Sequence, residues 1–167
     1  MSLQLRMKKG KDGRIASFAL ARADGSVTVQ RSVQSFFPVH DLTHYAVEST
    51  LRLRRGFYGL VSEGWNFEDF GSPWPRGPLP ADLDPVEEIV GLLDLERATG
   101  HQVSVSDVHS LLDVFYAKRP GATPLVLTQG ELDSIRERVH DYAARWQSLP
   151  DGETLVFDYA PGEDRQP

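Results

Sequence analysis

The chain has 167 residues, of which 40% are hydrophobic and 25% are charged, and its formal net charge is −6. This length and composition are typical of one ordinary globular domain, and the negative charge argues against a nucleic-acid interface. Because there is no cysteine, the sequence excludes disulfides, thiolate metal ligands and a thiol nucleophile.

The same totals give expectations about location and partners. No apolar run approaches the length of about 18 residues that spans a bilayer, and no secretory apolar segment follows the start, so we expect no membrane partner. The lack of cysteine favours the cytoplasm over an oxidising compartment. The expected partners are an unidentified small-molecule substrate and a second copy of the chain in a homodimer.

Short alternating stretches separated by turn signals predict a sheet at the start of the chain. The Asp-Gly pairs at Asp12 and Asp24 are hairpin signals. They separate strands that we place near residues 3–8, 14–22 and 26–32. A last strand within GETLVFDYA is expected to return to this sheet.

Most of the remaining chain is predicted to be helical. Helices are expected from Pro38 to about Arg54, over GFYGLVSEG, from Pro85 to about Gly100, from a capping Ser106 to Pro120, and from a capping box of Thr128 and Glu131 to about Trp146. Residues 64–85 are rich in glycine, proline and aromatic side chains, which predicts a long ordered loop.

The elements together predict an α+β domain over residues 1–160. It contains an antiparallel sheet of about four strands, three from the N-terminal part and one from the C-terminal part, with a layer of four to five helices. Residues 161–167 are expected to form a frayed tail.

The first helix carries an unusual polar face. Four titratable side chains share an arc about 100° wide, since a helix turns by about 100° per residue. They are His40, Asp41, His44 and Glu48. Two alternatives are open: a metal or acid–base site, or a solvated face of ordinary surface residues.

A metal site on this face would use imidazoles that are one helical turn apart. His40 and His44 are about 6 Å apart along the helix axis and can share one ion, whereas His40 and Glu48 are about 12 Å apart. We predict His40 and His44 as ligands of Zn²⁺, with Glu48 or a residue from elsewhere as the carboxylate. The rival pair is His44 with Glu48.

Two further carboxylates are candidates for acid–base chemistry. Asp41 lies in the first turn, where it either complements the helix dipole or acts as a general base or as the acceptor of a ligand's N–H. Glu63 follows the short second helix and is the candidate for a third ligand or a second catalytic carboxylate. The alternative for Glu63 is an exposed residue before the helix-ending Gly64.

The spacing His-Asp-x-x-His resembles motifs of known families. It is similar to the His-Glu-x-x-His of zinc metalloproteases, with Asp41 where that family has its glutamate base. It also resembles the His-Asp-x-x-His of the Coq4 family of ubiquinone biosynthesis, whose later glutamate position is occupied here by Gly56. The longer stretch HDLTHYAVE followed by GFYGLVSEG resembles the core of an uncharacterised group of small bacterial proteins.

These observations predict a metal-binding protein. As an enzyme, it would use metal-activated water to hydrolyse a small molecule. The alternative is a non-catalytic homodimer or partner-binding protein, whose contact surface would include Trp65 and Trp74 of the aromatic loop.

Overall fold

The computed structural model of the chain describes residues 2–31 and 38–162. Four strands and five α-helices lie within these ranges, which confirms the predicted α+β class, and none of the helices there is long and apolar enough to cross a membrane. Residue 32 of the third predicted strand and residues 163–167 of the predicted tail lie outside the described ranges. In chain order the elements are β1 (Leu3–Lys9), β2 (Ile15–Arg22), β3 (Val27–Arg31), α1 (Pro38–Leu51), α2 (Phe57–Ser62), α3 (Val86–Thr99), α4 (Val105–Ala117), α5 (Gln129–Ser148) and β4 (Thr154–Tyr159).

The strands form one antiparallel sheet in the order β3-β2-β1-β4. Leu5 of β1 is paired with Leu20 of β2 on one side and with Phe157 of β4 on the other. All three side chains are buried, because strand alternation directs every second residue to the same face. The predicted return of the last strand to the N-terminal sheet is confirmed.

Helix α1 lies between the sheet and the helical layer. Leu42 and Tyr45 pack with residues of the sheet, such as Leu5 and Phe157, in a core called the sheet-side cluster below. Ala46 packs into a second cluster with α3, α4 and α5. A helix buried on several sides has no wide solvated face. The solvated alternative is therefore wrong for His44 and Glu48, which are only 5% and 0% exposed.

Helix α1 ends earlier than predicted, and α2 folds back against it. The last helical residue is Leu51, because Arg52 adopts a left-handed backbone conformation with φ of 51°. Tyr58 of α2 is buried in the sheet-side cluster. At Gly59 an added side-chain carbon would overlap the backbone oxygen of Arg54, so this close approach requires glycine.

Side-chain caps define the starts of α4 and α5. Thr128 and Glu131 form the predicted capping box of α5. Helix α4 begins earlier than predicted, because Ser104 accepts a hydrogen bond from the backbone of Asp107. The prediction of Ser106 as the cap is therefore wrong.

Some of the aromatic side chains of the loop over residues 64–85 pack against the core and fix the loop in place. Trp65 is 8% exposed, and Phe67 and Phe70 pack against the sheet-side cluster from a 3₁₀ turn at Phe67–Phe70. Trp74, in contrast, is 43% exposed. The loop is thus anchored at its start and presents an aromatic side chain to solvent further along.

Candidate metal centre

Two histidines lie side by side on α1. His40 and His44 are one helical turn apart, so their side chains project from the same side of the helix. Their ring centroids are 4.8 Å apart. The side chain of His44 is 7% exposed and that of His40 is 27% exposed, so the pair lies where the core meets the surface.

Helix α3 brings a carboxylate to this pair. Helices α1 and α3 pack through core residues that include Val47 and Val90, which places the first turn of α3 beside the imidazoles. Oε2 of Glu87 is 3.6 Å from Nε2 of His44. One potential ligand atom from each of His40, His44 and Glu87 lies within 4.8 Å of the other two. These three residues, called the metal group below, can hold a metal ion.

Asp94, two turns further along α3, contacts His40. Its Oδ2 is 2.6 Å from Nδ1 of His40, and its Oδ1 accepts a hydrogen bond from Arg97. Desolvation raises the pKa of Asp94, but the hydrogen bonds from His40 and Arg97 outweigh it and hold that pKa below its ordinary value. Because Asp94 engages Nδ1, His40 would bind an ion through Nε2.

Glu48 lies one turn after His44 and faces two different neighbours. Its Oε2 accepts hydrogen bonds from the backbone N–H groups of Tyr58 at 2.9 Å and Gly59 at 3.4 Å. Its Oε1 is 3.8 Å from Nδ1 of His44, and neither of these two buried atoms has a hydrogen-bond partner among the described residues. Glu48 therefore lies next to the metal group, with Glu87 as the carboxylate inside it.

Burial changes the pKa values of both His44 and Glu48. Desolvation lowers the pKa of His44 and so favours the neutral imidazole, which is the form that binds metal. Desolvation also raises the pKa of Glu48 well above its ordinary value, although the N–H groups of α2 act in the opposite direction. The separation of 3.8 Å is short enough for an ion pair, but both shifts disfavour the charged forms.

Asp41, which was predicted to be catalytic, interacts electrostatically with both histidines. Desolvation raises the pKa of its carboxyl group to about 6, and the nearby His44 and His40 act in the opposite direction. Its backbone oxygen accepts a hydrogen bond from the Tyr58 hydroxyl at 3.0 Å, which connects this turn of α1 to α2. A carboxyl group with such a pKa can exchange a proton with water near neutral pH.

Glu63, the other predicted catalytic carboxylate, is engaged by arginines. Its Oε2 accepts a hydrogen bond from Arg55 at 2.8 Å, and its Oε1 is 3.9 Å from Arg54. Arg55 also pairs with Asp82 at 3.0 Å. These contacts bind Glu63 to the segment between α1 and α2, and its catalytic role stays a prediction.

The two histidines are recognisable in the sequence as candidate ligands, whereas the carboxylates of α3 are not. Glu87 is typical of the acidic residues that favour the first turn of any helix, so nothing in its own segment marks it as a ligand. The usable signal was that Glu87 and Asp94 are seven residues apart on one face of a helix. The role of Glu48 as a ligand stays a prediction.

No protein-family model matches the sequence, and no curated protein or solved structure matches the chain. The resemblance to small bacterial proteins therefore stays an expectation.

Proposed function

We propose that the chain binds one divalent metal ion, preferably Zn²⁺, through His40, His44 and Glu87. The observation that carries this proposal is the metal group, in which two imidazoles and a carboxylate lie within 4.8 Å on two packed helices. Two histidines and a glutamate, with water or substrate in the fourth position, form one of the usual donor sets of catalytic zinc sites.

The surrounding charges and donor types support this choice of ion. Asp41 and Asp94 add carboxylates beside the metal group, and Arg97 pairs with Asp94 at 3.1 Å on the side away from His40. Imidazole nitrogens favour zinc over magnesium and calcium, which prefer oxygen ligands. Because Fe(II) accepts the same set of two histidines and one carboxylate, it is the main competitor in a binding experiment.

Hydrolysis of a small molecule is the reaction that we propose for this centre. His40, His44 and Glu87 would hold the zinc ion, which when bound would supply a water that is activated near neutral pH. The proposed proton acceptor is Asp41, whose pKa burial raises to about 6. Substrate would approach past Glu87, because its side chain is 76% exposed.

Calorimetric titration of untagged protein tests the proposal. The protein is stripped with a chelator and titrated with Zn²⁺ beside the variant His44→Gln. We expect one ion per wild-type chain, and a gain of about 2.7 kcal/mol in the free energy of unfolding at 100 times the Kd. The variant should lose this binding. A folded wild-type chain that binds neither Zn²⁺ nor Fe²⁺ would contradict the proposal.

A second candidate function, contact with a partner or with a second copy of the chain, is supported by the aromatic loop. Trp74 is 43% exposed and Leu79 is 37% exposed, and with Pro78 they line a cavity of about 400 Å³. Exposed apolar patches are typical of contact surfaces. Light scattering should show a dimer that Trp74→Ser converts to a monomer, and a monomeric wild type would contradict the homodimer.

A further inference from the structure

Glu48 is the most deeply buried carboxylate beside the metal group. It is 0% exposed, and its two oxygens have different environments. Oε2 is bonded to the backbone N–H groups of Tyr58 and Gly59 at the start of α2. Oε1 is 3.8 Å from Nδ1 of His44, and both atoms lack a hydrogen-bond partner among the described residues. Leaving these two buried atoms without a hydrogen bond costs free energy. Ligand binding that brings them into a hydrogen bond with each other would remove this cost.

The geometry of His44 shows which nitrogen would bind the ion. Nε2 is the atom next to Oε2 of Glu87, at 3.6 Å, so Nε2 is the ligand atom. A neutral imidazole that coordinates through Nε2 carries its proton on Nδ1. That proton would point towards Oε1 of Glu48, which accepts it as a carboxylate because a cation bound at His44 favours the charged form of this carboxyl group.

His40 already makes the contact with a carboxylate that His44 lacks. Nδ1 of His40 is 2.6 Å from Oδ2 of Asp94. Histidines that bind metal commonly donate their second N–H to a carboxylate, which fixes the tautomer and the orientation of the ring. Asp94 and Glu48 therefore stand in equivalent positions, one behind each imidazole.

We propose that Glu48 is a positioning residue that accepts the Nδ1–H of His44 when Nε2 binds the ion, while its other oxygen holds the start of α2. This inference rests on the proposed metal binding by His40, His44 and Glu87. Glu48 then connects the metal centre to α2, because one carboxylate serves both.

Gly56 provides the space that this carboxylate occupies. A side-chain carbon at Gly56 would lie 2.5 Å from the carboxyl carbon of Glu48 and 2.8 Å from Cγ2 of Val86, closer than such atoms approach one another. Glycine at this position therefore allows Glu48 to lie between α1 and the start of α2. The local sequence VE followed by GFYG is explained by this packing.

The variant Glu48→Gln keeps the packing of residue 48 but changes its hydrogen bond to His44. A glutamine has the same shape, and its oxygen is required by the N–H groups of Tyr58 and Gly59. Its NH₂ group therefore faces Nδ1 of His44 and donates to it, which favours the tautomer with the proton on Nε2 and removes the ligand lone pair. We expect zinc affinity to fall about 10- to 100-fold, with the melting temperature of the metal-free protein kept or raised.

The matched control is Asp69→Asn. Asp69 is a buried carboxylate in the 3₁₀ turn after α2, and it accepts a hydrogen bond from the backbone N–H of Asn66, so this variant should keep the zinc affinity of the wild type. Long-range ¹H–¹⁵N NMR spectra of the imidazoles provide a readout that a purely structural role would not change. Zinc-bound wild type should carry the His44 proton on Nδ1, and metal-free Glu48→Gln should carry it on Nε2.

The outcomes distinguish this inference from the proposal on which it rests. A wild type that binds zinc while Glu48→Gln binds it equally well would overturn the role of Glu48 and leave the metal centre intact. A wild type that binds no ion would overturn both. If Glu48→Gln does not fold, the wild-type spectrum decides, because a zinc-bound His44 with its proton on Nε2 would also overturn the inference.

Discussion

Helix α3 takes part in two polar clusters that differ in how completely their bonds are formed. Towards its end, Glu96 belongs to a closed cluster, defined here as Glu96, Asp133 and Arg136. In its first turn, Glu87 belongs to the metal group with His40 and His44. Both clusters join α3 to another helix, yet only the first satisfies its own hydrogen bonds.

The closed cluster is complete without any ligand. Both Nε and Nη2 of Arg136 donate to the carboxylate of Glu96, at 2.9 and 2.7 Å, and Nη1 donates to Asp133 at 3.1 Å. The hydrogen bonds that Arg136 donates to Glu96 lower the pKa of Glu96 and raise the pKa of Arg136. Such a bidentate pair stabilises the packing of α3 against α5.

The metal group and the carboxylate behind it are not closed in this way. Nδ1 of His44 and Oε1 of Glu48 are buried and have no hydrogen-bond partner among the described residues. The ligand atoms of the group converge on one small region instead of pairing with arginine. A structural cluster thus satisfies its members in pairs, whereas a binding cluster directs its polar atoms at a common point.

The largest expected effect is the loss of zinc affinity in His44→Gln. The variant removes one of three ligands, and the side-chain amide that replaces the imidazole is a poor zinc ligand. We expect the Kd for Zn²⁺ to rise by a factor of about 100 or more, measured by competition with a chromogenic chelator. An unchanged Kd would show that the ion binds elsewhere.

The converse variant, Arg136→Met, should affect stability and not metal binding. It leaves the carboxylate of Glu96 without its main partner in a site where the Arg136 side chain is 17% exposed. We expect the free energy of unfolding to fall by about 2 kcal/mol in urea denaturation, less than for a fully buried pair. Zinc affinity should equal that of the wild type. A variant that loses zinc affinity as well as stability would mean that the two clusters are not independent.

A smaller effect is expected from Glu87→Gln, which removes the anionic ligand but keeps both imidazoles. Because the Glu87 side chain is 76% exposed, water can replace it in part, and we expect zinc affinity to fall about 10-fold, equivalent to about 1.4 kcal/mol. Glu88→Gln is the matched control, since it removes the same charge from the next residue of α3. Equal losses in the two variants would indicate a general charge effect in place of ligation.

The smallest expected effect is a change in the pH dependence of stability. Desolvation lowers the pKa of His44 in the folded protein below its ordinary value of 6.5, so the unfolded chain binds the proton more readily. The stability associated with neutral His44 is present above pH 6.5 and is lost as the pH falls below it. Metal-free wild type should therefore lose stability relative to His44→Gln between pH 7.5 and 5, and parallel pH profiles would contradict this burial effect.

Much of the fold was predictable because its signals are local. The alternation of β1 and β2, the proline that starts α1 and the capping box of α5 each depend on a few adjacent residues. The cap of α4 was assigned wrongly because Ser104 and Ser106 are both suitable residues, and only the bond to Asp107 distinguishes them.

The candidate site was predictable only in the part that lies on one helix. His40 and His44 share a face because of helix geometry alone. The position of Glu87 depends on how α3 packs against α1, which no local pattern specifies. The start of α2 covers Glu48, a residue that the helical arc alone placed on a polar face.

Crystals grown with zinc and measured at wavelengths on both sides of the zinc absorption edge test the central claim most directly. We predict one anomalous peak about 2.0–2.2 Å from a nitrogen of His40, a nitrogen of His44 and an oxygen of Glu87. A structure from such crystals in which both imidazoles carry no ion, or in which zinc binds only elsewhere on the chain, would contradict it.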